Sequence, residues 1–484
     1  MQKKIYLSKK GKVNIIFKKK ISKSFIYDEQ KNVKIDYKII YKKNSEFSKL
    51  LDKNKNSVIL VAENSVDFLV AYYCLIQNNF LVILIGSNIT DKKLENLVYK
   101  FKPNFVCYSK KLIFKNILSK KLFSSFFDYN LFLINSNIAK INNEICLLLP
   151  TSGSTGESKF VKLTYKNIIS NITKISKFLA VDTKDITITT LPPEYSYGLS
   201  IINSHLFKNS SIIMNSKSVI EDSFWKIIEK FKVNSFGGVP FTYELLKRID
   251  LRKKLILIKS IKYLTQAGGK LSTELQEYMN YISKKYKFKF YVMYGSTEAS
   301  PRMSMMLSNN KNKIGSIGKA LEGCSFLVRK NGKKIVKPYL KGDLYFKGDN
   351  IFVGYANSNN DIKNIKNIKI LKTGDYGYFD EDNYFYVEGR TDRITKLNGI
   401  RLDLNDLENE LKKELLIDLR ISTNGNKLKI FLIKNIENIV EFKSKLSKIS
   451  NIHPSNLKIF ILKEFPLTRS SKTDYNKLNK FDDK

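Results

Sequence analysis

The chain has 484 residues, with 85 Lys and Arg against 45 Asp and Glu, and a formal charge of +40. That length is too great for one core and predicts two or three domains of roughly 100–200 residues each. A hydrophobic fraction of 43% and an aromatic fraction of 12% exclude a wholly disordered chain despite the charge.

The N-terminal stretch MQKKIYLSKKGKVNIIFKKK is basic but lacks the apolar core of a secretory signal. Ser57-Val-Ile-Leu-Val-Ala predicts a buried strand, Val66 to Gln77 an apolar helix, and Phe80 to Ile85 the next buried strand. The last of these is the most apolar run, and it is far short of the roughly 20 residues that span a bilayer. Neither export nor a membrane span is expected, and the expected location is cytoplasmic. Short buried strands alternating with helices predict a doubly wound α/β fold with parallel strands. The alternation continues with an apolar run at Ile145–Leu149 and a strand at Phe160–Leu163. A helix at 168–179, strands at 186–191 and 211–214, and a helix at 224–231 follow. Between about residues 315 and 390 short alternating strands, such as those at 342–348 and 383–388, predict a small β-barrel or antiparallel sheet. The last 95 or so residues mix a helix at 404–415 with strands at 428–434 and 457–462, which predicts a small α+β domain.

Cys74, Cys107, Cys146 and Cys324 contain no CxxC pair and no disulfide framework, so free thiols are expected. His205 and His453 are the only histidines. A His-rich metal site is excluded, and chemistry must run on Lys, Arg, Thr, carboxylates and backbone amides. Lysine is spread along the chain without a basic arm, so most of the charge is expected to be a solvated surface and not a specific nucleic-acid site.

Pro150-Thr-Ser-Gly-Ser-Thr-Gly-Glu-Ser-Lys159 follows one apolar run and precedes another. Its glycines, hydroxyls and terminal lysine suit polyphosphate oxygens. It matches neither the P-loop spacing nor GxGxxG. Four further segments follow in order: Tyr294-Gly-Ser-Thr-Glu298, Thr373-Gly-Asp375, Gly389-Arg-Thr-Asp-Arg-Ile-Thr-Lys-Leu-Asn-Gly-Ile-Arg401, and Pro466-Leu-Thr-Arg-Ser-Ser-Lys472. With these five motifs the sequence resembles the adenylate-forming superfamily: acyl-CoA synthetases, peptide-synthetase adenylation domains and luciferases. The resemblance covers nearly the whole chain.

It implies a large N-terminal adenylation domain (1–389) carrying a small distorted β-barrel, and a mobile C-terminal α+β domain (390–484) hinged at Asp392. It implies that a carboxylate and ATP give an acyl-adenylate, and that a thiol, from CoA or a carrier protein's phosphopantetheine, then takes the acyl group. Lys472 would bridge carboxylate and α-phosphate. Thr155 and Glu298 would hold Mg2+, and Thr151, Ser152, Gly153, Ser154, Gly156 and Lys159 would cradle phosphates. Tyr294 with Gly268 and Gly269 would flank adenine, next to Gly295 and Thr297. Asp375 would bind the ribose, and Arg390 the ribose and α-phosphate. Lys396 and Gly399 would face the thiol in the second domain pose. Ser471 stands where the family usually has Gly, and Glu157 and Ser158 where it often has a small residue and Pro. Glu157 is therefore expected to point outward.

Tyr195 occupies the place of the residue that gates the acyl pocket, and Ser196 that of the Asp with which amino-acid-activating relatives bind an ammonium. Val239 and Ser296 are expected to add walls, and the pocket is expected to take a small or medium carboxylic acid. An acidic acyl carrier protein would suit the basic surface. Transfer to an amine or sugar, or a non-catalytic polyanion-binding role, are the alternatives.

Overall fold

The computed structural model of the chain describes residue 17 and residues 23–481, apart from 53, 116–120, 137–139, 152–158, 258, 391–392, 398–399, 425–426, 434, 451 and 469–472. The chain forms two compact units: residues 1–152, 158–325 and 347–371, and residues 153–157, 326–346 and 372–484.

The first unit holds two doubly wound sheets. In the first, Ser57–Ala62 pairs in parallel with Leu81–Gly86 and Phe105–Ser109, and Leu81–Gly86 with Ile145–Pro150. All six residues of Ser57–Ala62 and of Leu81–Gly86 are buried, as expected of strands covered on both faces. The covering helix Val66–Gln77 is apolar all round, and eleven of its twelve residues are buried. Ser65 starts it by accepting the Phe68 N–H. Ile145–Pro150 then turns back antiparallel onto Phe160–Thr164, which puts the Ser/Gly-rich segment between two neighbouring strands.

In the second sheet, Ser211–Met214, Ile186–Ile188, Ser235–Gly238, Tyr263–Gln266 and Lys289–Gly295 run parallel in that spatial order. Arg302–Leu307 adds antiparallel to the last of them. The strand predicted for 186–191 is shorter, Ile186–Ile188; beyond it the Thr189 and Thr190 hydroxyls donate to the carbonyls of Asn215 and Gly237. The helix predicted for 168–179 begins earlier, at Tyr165, because Thr164 and Asn167 form a reciprocal capping box.

The second unit takes in most of the neighbouring strands at 325–330, 342–347, 371–379 and 385–390, with Leu371–Phe379 antiparallel to Phe385–Arg390. The small α+β part follows: helix Leu404–Leu415, strands Leu419–Asn424, Lys427–Leu432 and Leu457–Ile461, and helix Ile439–Ser450. Its core is Leu407, Leu411, Ile421, Ile430, Leu446 and their neighbours. Beside that core lies Glu408, 6% exposed, which accepts from Arg393 (3.1 Å), Lys412 (2.9 Å), the Ile421 N–H (3.0 Å) and Tyr475 (2.9 Å). Arg393 also lies 3.7 Å from the Tyr475 ring centroid.

Burial pushes the Glu408 carboxyl up, but the Lys412 and Arg393 cations and the Ile421 amide outweigh it and hold it below the usual glutamate value. A depressed folded value means that stability is fully present above the unfolded value, about 4.3, and is lost as pH falls through the folded one. Glu408→Gln is therefore expected to destabilise this part by about 3 kcal/mol at pH 7, since it leaves buried cations unpaired. The difference between variant and wild type should shrink in thermal melts below about pH 4.

Candidate active site

Ligands in open α/β sheets collect at the carboxyl ends of the parallel strands. In the second sheet these ends deliver the predicted residues one after another. Helix Ser196–Lys208 starts with Tyr195 at its N-cap, beyond strand Ile186–Ile188. Val239 directly follows Ser235–Gly238, Gly268 and Gly269 follow Tyr263–Gln266, and Ser296 to Glu298 follow Lys289–Gly295.

Tyr195, Val239 and Gly268 meet. A Cβ on Gly268 would lie 2.5 Å from the Tyr195 hydroxyl and 3.1 Å from Val239 Cγ1, and Gly268 has φ +87°, so a side chain is excluded there twice over. Gly269 packs against Pro240, and Gln266 closes the turn by donating to the Gly269 carbonyl at 2.8 Å. Gly268, predicted beside adenine, is thus covered by two residues predicted for the acyl pocket. Burial holds the Tyr195 phenol well above its usual value, so it stays protonated. Ser196 and Thr297 share a hydroxyl–hydroxyl bond of 3.1 Å, which ties the start of this helix to the 294–298 turn.

That turn is built tightly. Tyr294 is half-buried, and its strand shifts register between Tyr294 and Gly295. A Cβ on Gly295 would lie 1.6 Å from the Pro301 carbonyl oxygen, which only glycine permits. Ser296 touches Met303, its hydroxyl 4.0 Å from the sulfur. The buried Asn350 donates to the carbonyls of Ala299 (2.6 Å) and Arg302 (3.3 Å), and Ser300 donates to the Asn350 carbonyl at 2.9 Å.

Glu298 is fixed from the other sheet. Tyr355 donates to Glu298 Oε1 at 2.9 Å, and the Phe352 N–H donates to the Glu298 carbonyl at 2.8 Å. Tyr355 itself pairs with Val161, two residues after Lys159. At the root of the Ser/Gly-rich loop, the Thr151 N–H and hydroxyl both donate to the Lys159 carbonyl, at 2.9 and 3.1 Å. The glutamate is therefore held by the strand that pairs with the loop's exit strand.

In the second unit, Asp375 and Arg390 are cross-strand partners, with Arg390 Nη1 3.5 Å from Asp375 Oδ1. Thr373 orients the turn before Asp375 by accepting its N–H and donating to the Leu344 carbonyl. Ser152, Gly153, Ser154, Thr155, Gly156, Asp392, Gly399 and Lys472 lie outside the described residues, as do Glu157, Ser158 and Ser471; Lys396 is described as part of strand Ile394–Leu397. The segment carrying Lys472 is closed at its base by a bridge between Leu467 and Thr473 and by the Asp474 N–H on the Pro466 carbonyl.

The family model of the AMP-binding enzymes matches residues 18–356, well over half of the chain. The chain belongs to the AMP-binding enzyme family. This AMP-binding enzyme is 26% identical over 296 residues to a 4-coumarate–CoA ligase-like protein of Arabidopsis thaliana, covering 59% of this chain and 51% of that one. It is 29% identical over 286 residues to a long-chain-fatty-acid–CoA ligase of Bacillus subtilis, covering 57% and 49%. The matched part thus spans about half the length of these relatives. Its fold resembles that of o-succinylbenzoate CoA synthetase from Bacillus subtilis in complex with an acyl-adenylate, with a TM-score of 0.74 and 17% identity, over 94% of this chain and 95% of the other.

Both histidines of this AMP-binding enzyme have structural surroundings. His205 is buried, its Nδ1 2.8 Å from the Ile201 carbonyl, and burial pushes it down to about 4, which keeps it neutral. His453 caps a short turn by accepting the Ser455 N–H. Cys74, Cys107 and Cys146 are buried free thiols and Cys324 a half-buried one. Among the described residues no helix is long and apolar enough to cross a membrane, and no three His, Cys, Asp or Glu form a metal cluster. A site of one carboxylate, one hydroxyl and phosphate oxygens suits Mg2+, which keeps several of its waters. The sequence pattern missed Tyr355, Asn350 and Ser300, which hold Glu298 and its turn; they come from distant segments and carry no local motif.

Gly268→Ala is expected to cost about 1–3 kcal/mol, from a left-handed backbone and the clash with Tyr195. Adding Tyr195→Phe should recover only the clash part. A double-mutant cycle in chemical denaturation reads both.

Proposed function

We propose that the chain activates a carboxylic acid with ATP, forming an acyl-adenylate and pyrophosphate, and passes the acyl group to a thiol, from CoA or a carrier protein's phosphopantetheine. Membership of the AMP-binding family supports it, as do relatives described as CoA ligases. The observation that carries it is the Glu298–Tyr355 bond, which holds a carboxylate against the strand leaving the 151–159 loop. A Mg2+ ion held by Glu298 and Thr155 would neutralise triphosphate charge.

The chemistry asks mainly for positive charge. The acid is already ionised at neutral pH and needs no base. Two anions must approach each other, so oriented donors and cations lower the barrier. Lys472 is the cation we assign to that meeting point, and Arg390 with Asp375 to the ribose and α-phosphate. Tyr294 with Gly268, Gly269 and Gly295 would flank the adenine, and Tyr195, Val239 and Ser296 the acyl group. Asp392 is the hinge we assign between 1–389 and 390–484. Arg390 ends a strand anchored on Asp375, and Arg393 is anchored to Glu408. Lys396 and Gly399 would face the thiol after rotation about Asp392. Keeping water from the adenylate gives such a closure its use.

Acid-dependent exchange of labelled pyrophosphate into ATP tests the first step. Glu298→Gln is expected to lower it by about 100-fold or more, and a chelator should abolish it. Lys472→Ala should remove exchange while thiolysis of supplied acyl-adenylate survives; Asp392→Pro should do the opposite, because proline fixes φ. Equal loss of both steps in both variants would reject the assignment. Assays with CoA, holo-carrier protein and amines identify the acceptor.

A further inference from the structure

The acyl pocket wall backs onto a charge that nothing in the described protein neutralises. Arg302 is 2% exposed and is the cross-strand partner of Gly295. Its Nε donates to Ser200 Oγ at 3.1 Å, and its guanidinium carbon lies 5.1 Å from the Tyr197 ring centroid. Its Nη1 is buried with no hydrogen-bond partner. Among the described residues no carboxylate forms an ion pair with it; the other buried cations are provided for, Lys55 by Asn79 Oδ1 and the Asn143 carbonyl, Lys162 by the carbonyls of Asp361 and Asn364, and Lys429 by those of Asn479 and Phe481.

The neighbouring groups cannot supply the missing charge. Burial holds the phenols of Tyr197 and Tyr263 above their usual values, so both are neutral. His205, which also feels the Arg302 charge, is neutral as well. His205 Nε2, on a ring within electrostatic reach of Arg302, is itself buried without a hydrogen-bond partner. A buried cation and a buried imidazole nitrogen are thus left incompletely bonded, in a region where almost every polar group is normally satisfied. A buried charge is tolerated when an opposite charge completes it.

This place adjoins the residues assigned to the acyl group. Tyr197, against which Arg302 packs, meets Tyr195 edge-on with centroids 6.4 Å apart. Tyr195 and Tyr197 share one apolar cluster with Val239, Ala267, Met293 and Met305. A pocket with apolar walls and a guanidinium behind them matches a ligand with a carbon middle and an anionic far end. Guanidinium groups pair best with planar, two-oxygen anions. We infer that the acid this chain binds is a dicarboxylic acid, one carboxylate presented for activation and the other paired with Arg302.

This inference rests on the acid-activating role proposed above, so the test reads binding without chemistry. Calorimetric titration of the wild-type protein with matched pairs (glutarate against valerate, adipate against hexanoate, isophthalate against benzoate) is expected to show at least one diacid bound tenfold or more tighter than its monoacid. Arg302→Met should abolish that preference, and Arg302→Lys should keep part of it. Diacids binding no tighter than monoacids throughout would overturn the inference, as would a preference unchanged in Arg302→Met. Should circular dichroism show Arg302→Met unfolded, Ser200→Ala, which removes the Nε bond together with the Ser200 hydroxyl's bond to the Tyr197 carbonyl, should shrink the preference several-fold; an unchanged preference would count against the assignment. A diacid preference without pyrophosphate exchange would leave the inference standing and sink the proposed reaction instead.

Discussion

Adjacent parallel strands bring their carboxyl ends to one edge, and the candidate site is built along that edge. Gly238 pairs with Gln266, and Gln266 with Val292, so the turns beginning at Val239, Ala267 and Ser296 leave neighbouring strands. The turns come this close because two positions lack a side chain. Gly295 leaves room for the Pro301 carbonyl, and Gly268 for the Tyr195 hydroxyl. The placement of Glu298, Tyr195 and Val239 depends on that register.

The second theme is where positive charge is spent. An excess of +40 says little by itself, since most lysines are solvated and screened. The informative cations are the buried ones. Lys162 and Lys429 are satisfied by backbone carbonyls and lock loops, and Arg393 is satisfied by Glu408 and locks the C-terminal part. Arg302 follows neither pattern. A buried cation with an unpartnered guanidinium nitrogen, among neutral aromatic groups, has the character of half an interaction.

The elements were largely legible in the sequence because their signals are local. Continuous apolar runs marked the buried strands Ser57–Ala62 and Leu81–Gly86, and the helices Val66–Gln77 and Leu404–Leu415 fall where the pattern put them. Ends were less legible, since a side-chain cap can set them, as at Thr164. The pairing of Asp375 with Arg390 was readable only as two separate motifs; register made them neighbours.

The order and chemistry of the five motifs determined the family and the type of group each segment offers, because backbone amides, hydroxyls and charges are properties of the residues themselves. The tertiary structure alone decided which groups meet. Tyr355 reaches Glu298 across 57 positions, Ser196 reaches Thr297 across 101, and Arg302 reaches Ser200 across 102. Such contacts arise from sheet register and helix packing between distant segments, and no local pattern of residues encodes them.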